Sequence, residues 1–191
     1  KTCLVFTGMA RVFPKVNEAR QRKTAWFHED REGFLTQLRK ELRLHEKNCF
    51  KKGIKPACRL NVFSDIAWEK LGIPQEFPNI YFYDYTKNAF RLGKTPDNYK
   101  LIFSYSRSVE YQKFVAKAWD TDVPIAVVFK DHMPDTFLGR EVVDGDKSDL
   151  DNVRSGRVII GLIEKKSGNE DADFMVKPSD VVNLNLISAV A

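Results

Sequence analysis

The chain has 191 residues, 43% apolar and 12% aromatic, with a formal net charge of +5. That apolar content can bury one sizeable core without disulfide staples. No run approaches the roughly 18 consecutive apolar residues of a membrane helix, and the three cysteines exclude a fully paired disulfide framework.

The odd cysteine count points to a reducing compartment, and the start lacks the apolar stretch of a signal peptide. A soluble, cytoplasmic protein with no membrane partner is therefore expected. The chain opens on Lys1 rather than Met, so residues upstream of it are also expected. Residues 1–60 carry 15 Lys or Arg against 6 Asp or Glu, and the remainder carries 16 against 20. The basic amino-terminal third favours polyanions, so nucleic acid or nucleotide phosphates are the expected partners.

In chain order, Pro14 sits at the first turn of a predicted helix over residues 14–27, with Val16, Ala19, Lys23 and Phe27 along one face. Asp30 can cap a second helix over 30–46, whose stripe of Phe34, Leu35, Leu38 and Leu42 should pack on a sheet. Gly53 and Pro56 punctuate a basic turn. Short apolar runs predict strands over 58–63, 80–84, 100–104, 124–129 and 157–163. Short helices are predicted over 66–71, closed by Gly72 and Pro74, and over 109–119. Residues 131–156 read as a long polar connection, residues 168–173 as a mobile acidic turn, and the alternation in 181–187 as an edge strand or docking tail.

Strands that lack strict alternation are buried on both faces, as in parallel sheets, and their spacing fits repeated strand and crossover units. The expected fold is α/β, a mostly parallel sheet forming an open or partial (β/α) barrel with flanking helices. The chain is too short for eight such units. One domain over 1–191 is expected: a basic helical part over 1–57, a parallel strand core over 58–166, and a mobile turn and tail over 167–191.

In such sheets ligands sit off the carboxyl ends of the strands. Asp65, Asp84 and Lys87 are the candidate catalytic residues there, with carboxylates as acid and base and the lysine as an anchor for phosphate. Ser64, Tyr85, Thr86, Ser104, Ser106 and Arg107 are candidate substrate contacts, and Lys130, Asp144 and Lys165 are placed at the rim. Bland alternatives stand beside these: aspartates that cap helices or turns, and a solvent-facing lysine.

Asp65 and Asp84 with Asp144, Asp146 and Asp149 form a candidate divalent-metal set. As a calcium loop, residues 144–155 fail because the twelfth position is Ser155. His132 follows a strand end and is the one histidine placed for chemistry, whereas His28 and His45 lie in charged helical surroundings. Cys49 and Cys58 are nine apart, without zinc-site spacing. A phosphate-binding glycine loop, a dinucleotide fingerprint and a Ser-His-Asp context are all missing.

Several stretches carry a family resemblance: Cys3-Leu-Val-Phe-Thr-Gly8, Val16 to Phe27, Phe34 to Glu41, Arg59-Leu-Asn-Val-Phe-Ser-Asp65, Phe82-Tyr-Asp-Tyr-Thr-Lys87 and Ser104-Tyr-Ser106. Together they resemble the uncharacterised gene-product-88 type of tailed-phage protein over most of the chain. The resemblance implies no set activity. It implies a distant relation to partial-barrel iron–sulfur enzymes that use S-adenosylmethionine, and further cysteines just before Cys3. Cys3 alone cannot hold a cluster, so an iron–sulfur centre requires cysteines upstream of this chain.

For a phage protein three functions compete. It can be an enzyme on nucleotide or nucleic-acid substrates in the infected host cell. It can be a non-catalytic module binding nucleic acid or a host protein. It can be a self-associating structural protein of the virion.

Overall fold

The computed structural model describes residues 14–164, 175–178 and 180–181. Two helices open it, α1 (Pro14–Glu29) and α2 (Arg31–Lys51). Asp30 caps α2 by accepting a hydrogen bond from the Gly33 N–H at 2.9 Å, and Leu35, Leu42 and Cys49 form its buried stripe. Phe27 of α1 meets Phe34 edge-on at 5.3 Å and Trp68 at 6.0 Å, which docks the helix pair on the body of the protein.

The strands are β1 (Ala57–Cys58), β2 (Tyr81–Thr86), β3 (Tyr99–Ser104), β4 (Ile125–Phe129), β5 (Thr136–Phe137), β6 (Arg140–Asp144), β7 (Ile159–Ile163) and β8 (Met175–Val176). They form an open sheet in the order β1-β2-β3-β4-β7-β6-β5, with β8 also on β4. All pairings are parallel except β5 with β6. The five expected strands are therefore present, and they are parallel.

Three expectations are corrected. The first strand stops at Cys58 instead of running to residue 63, because the chain beyond it curls around the buried side chain of Asn61. The connection over 131–156 is not irregular. It holds the β5–β6 hairpin, turned by Leu138 and Gly139 at φ 48° and 75°, and the short helix α5 (Asp149–Asn152). Within the stretch read as turn and tail, Met175–Val176 is a buried strand. Residues 168–173 and 182–187 lie outside the described residues.

The predicted short helices are realised as turns of mixed type. A 3₁₀ turn over Trp68–Leu71 ends at Gly72 (φ 74°), and α3 (Ile73–Glu76) restarts with Pro74 in its first turn. A second 3₁₀ turn covers Ala89–Arg91, and a third, Val109–Tyr111, leads into α4 (Gln112–Trp119).

The two faces of the sheet are covered unequally. On one face Phe82, Leu101, Phe103, Ile125, Val127 and Phe129 pack with Leu35, Leu42 and Val115 of the helices into the main core. The other face has a small cluster of Ile102, Ala126, Val153 and Ile160, flanked by the half-buried Tyr81, Tyr83 and Tyr85. Beyond Tyr105, whose N–H donates to the Ala126 carbonyl at 2.9 Å, the chain leaves β4, and β8 takes over that edge through Val128↔Met175 and Phe129↔Val176. This divergence opens the carboxyl end of the sheet.

Among the described residues no helix is long and apolar enough to cross a membrane.

Candidate functional site

At that carboxyl end lies a cavity of about 760 Å³. Its walls come from the ends of successive strands: Arg59 and residues 61–65 after β1, Tyr85 to Lys87 at the end of β2, Ser104 and Tyr105 at the end of β3, Ala126 and Val128 on β4, Gly145 to Asp149 after β6, and Leu162 to Glu164 at the end of β7. Tyr111 closes one side.

The loop after β1 is shaped by Asn61. Its side-chain oxygen accepts from the Ser64 hydroxyl (2.8 Å), the Trp68 indole N–H (3.0 Å) and the Ile66 N–H (3.1 Å). Its amide nitrogen donates to the Ile66 carbonyl (2.9 Å) and to Asp84 (3.1 Å). A single buried amide thus fixes residues 61–68, which carry Ser64 and Asp65 to the cavity.

Behind the cavity runs a buried polar chain. Tyr99 donates its hydroxyl proton to Asp84 at 2.8 Å and accepts from Arg91 at 3.1 Å. Arg91 grips both oxygens of Glu69 at 2.9 Å and reaches Asp65. Asp65 also accepts from the Thr86 hydroxyl (2.8 Å) and from the Lys87 N–H (3.1 Å). Burial pushes the Asp84 carboxyl up to about 6, against the opposing pull of hydrogen bonds from Tyr99 and Asn61.

Three cations line the cavity, Arg59, Lys87 and Lys147, and Lys87 is the one at the end of β2. Its Nζ donates to the Tyr105 carbonyl at 3.4 Å and sits 5.1 Å from the centre of the Tyr111 ring. Among the described residues no carboxylate lies within 4.0 Å of it. Desolvation holds its pKa below the usual lysine range, while the charges of Asp65 and Glu110 pull the other way. On the opposite wall Asp149 accepts the Tyr85 hydroxyl proton (2.8 Å) and pairs with Arg59 (3.2 Å), whose guanidinium lies 4.5 Å from the Tyr85 ring centre.

The structure brings Ser64, Asp65, Tyr85, Thr86, Lys87, Ser104 and Asp146 to this cavity. Asp84 and Ser106 are buried away from it. Arg107 pairs with Asp180 (2.6 Å) and donates to the Met175 carbonyl (3.2 Å), which ties down β8. The Lys130 N–H donates to the Val176 carbonyl at 3.1 Å, and neither Lys130 nor exposed His132 lines the cavity. Cys3 and Lys165 lie outside the described residues.

Arg59, Asn61 and Tyr111 escape the sequence reading. Arg59 directly follows the end of β1, a position signal that was available, whereas nothing local distinguishes Asn61 or Tyr111.

The carboxylates that form the candidate metal set do not gather at one point. Among the described residues no three His, Cys, Asp or Glu side chains gather in the way a metal ion requires. Asp144 pairs with Lys147 (3.3 Å) and accepts from the Asp146 N–H (3.0 Å), and Asp146 accepts from the Ile163 N–H (3.2 Å), so these acids close their own loop. The described cysteines do not fit a cluster. Cys49 is buried beside His45 at 3.8 Å, burial pushes the Cys58 thiol up to about 11, and neither lines the cavity.

Fold and site together define an α/β protein with an open, mostly parallel sheet and a cavity across the carboxyl ends of its strands. The family model for gene product 88 matches residues 1–178, and the chain belongs to that family of phage gene products. No curated protein and no solved structure matches it.

Proposed function

We propose that the protein is an enzyme acting on a nucleotide or on the end of a nucleic-acid strand in this cavity. The observation that carries the reading is Lys87, half-buried at a parallel-strand end with no carboxylate within 4.0 Å among the described residues. Such a charge is costly to keep unless an anionic group meets it. The helices cover one face while the cavity opens at the strand ends, which supports a partial-barrel reading of the sheet.

The charges around Lys87 narrow the substrate. Asp65 is engaged by Arg91, Asp149 by Arg59 and Lys147 by Asp144, which leaves Lys87, Asp146 and Glu164 as the other charged groups of the lining. That mixture suits one phosphate and a polar sugar better than a polyphosphate. Tyr111 and Phe63 offer ring surface for a base. Glu164, at the end of β7, is the carboxylate assigned to acid and base work, and Asp65 is the positioning residue that keeps Lys87 charged.

Calorimetric titration with adenosine and thymidine 5′-monophosphates tests the reading. Wild type binds, and Lys87→Met loses at least about tenfold in affinity, as expected when a charge-assisted hydrogen bond of 1.5–3 kcal/mol is removed. Equal affinity in both proteins removes Lys87 from the site.

A second reading, a non-catalytic binding module, draws on the exposed Lys40, Arg43, Lys47 and Lys51 along α2. It predicts nucleic-acid affinity that is indifferent to Lys87→Met.

A further inference from the structure

The lightly covered face of the sheet carries a pattern that the cavity does not use. Tyr81, Tyr83 and Tyr85 alternate along β2 with the buried Phe82, Asp84 and Thr86, so all three rings lie on that face and all are half-buried. Tyr85 lines the cavity, and the other two lead away from it toward the amino end of the strand.

Cations accompany the row. The Arg59 guanidinium lies 4.5 Å from the Tyr85 ring centre, and that of Arg154 lies 5.1 Å from the Tyr81 ring centre. Lys100, exposed on β3, is the register partner of Tyr83 and shares its face. Among the described residues no cation sits over the Tyr83 ring itself. Residues two apart on a strand are about 6.6 Å apart along it, twice the rise per residue. That interval is wider than the roughly 3.4 Å between stacked bases of a duplex strand. A platform of this spacing takes bases splayed out one by one, which only a single strand allows.

We infer that this tyrosine row is a stacking platform for single-stranded nucleic acid, its bases on Tyr81 and Tyr83 and its phosphates toward Lys100 and Arg154, with one end entering the cavity. The inference rests on the nucleotide reading of the cavity and specifies its substrate. Aromatic rings on an open sheet face give base affinity without sequence preference, because every base has a π-face. Lys100 and Arg154 supply the salt-dependent phosphate term, Arg59 being paired with Asp149.

Fluorescence anisotropy of short labelled oligo-dT and oligo-rU strands with the full chain, across a salt series, is the test. Wild type binds at least one strand with affinity that falls steeply with salt. Tyr83→Ala weakens binding about tenfold, whereas Tyr83→Phe, which keeps the ring, stays within about twofold. Lys100→Ala takes about one unit off the salt slope.

Failure of wild type to bind either strand overturns the inference, as does duplex binding of equal strength. Tyr83→Ala binding like wild type overturns it as well. Should Tyr83→Ala fail to fold, an unchanged affinity and salt slope in Lys100→Ala does the same. Mononucleotide binding that is intact and sensitive to Lys87→Met, without single-strand binding, removes the platform and leaves the cavity reading standing.

Discussion

Asp84 on β2 accepts two hydrogen bonds from Asn61 in the loop after β1, one from its backbone N–H at 2.7 Å and one from its side-chain amide at 3.1 Å. This bond pair holds the loop that delivers Asp65 to the cavity, so Asp84 serves the site from beneath the sheet surface. Its carboxyl titrates near 6 when folded against an ordinary value of 3.8.

The folded protein therefore binds the Asp84 proton more tightly than the unfolded chain does. Stability from this group is full below about pH 4 and is lost as pH rises through 6, by an amount on the order of 3 kcal/mol. Urea denaturation from pH 4 to pH 7 should show this decline in wild type relative to Asp84→Asn, which has no proton to lose. Parallel pH profiles for the two proteins would contradict it.

Arg91 is only 5% exposed and joins Glu69, Asp65 and Tyr99. Arg91→Ala leaves Glu69 buried without its partner and should cost about 3–5 kcal/mol by chemical denaturation. Arg91→Lys should recover only a small part of that loss, because an ammonium cannot reproduce the two-pronged contact with Glu69. Full recovery by lysine would show that charge alone matters here.

Gly145 begins the cavity wall after β6, and a Cβ there would meet Ile160 Cγ2 at 2.3 Å and the Gly161 carbonyl oxygen at 2.9 Å. Backbone cannot yield as a side-chain tip can, so Gly145→Ala should push the 145–149 loop outward. The expected cost is about 1–3 kcal/mol of stability, with weaker nucleotide binding in the same protein. Thermal melts and titration check the two together, and an unchanged pair would mean that the loop is free to shift.

Much of this arrangement was legible in the sequence. Short aromatic and β-branched runs marked β2, β3, β4 and β7, and reading them as parallel placed Asp65, Lys87 and Ser104 at one edge. The period of two within β2 also contained the sign that Asp84 faces away from Tyr83 and Tyr85, since it alternates with them and falls in step with buried Phe82. The β5–β6 hairpin was hidden because a two-residue strand carries no periodicity, and its Leu138-Gly139 turn lacks the usual Asn or Asp. Arg91 was hidden for a different reason. Its partners Asp65 and Glu69 lie 26 and 22 residues away, and only the folded chain brings them together.

The most direct measurement is a nuclear magnetic resonance titration of the labelled full chain with adenosine 5′-monophosphate, following backbone amides and the Lys87 side chain. The account predicts shifts at Lys87, Ser104, Tyr111 and Glu164 that saturate together, vanish in Lys87→Met, and weaken as pH rises through a lysine pKa held below its ordinary 10.5. Shifts confined to the exposed lysines and arginines of α1 and α2, with the strand-end residues unmoved, would contradict it.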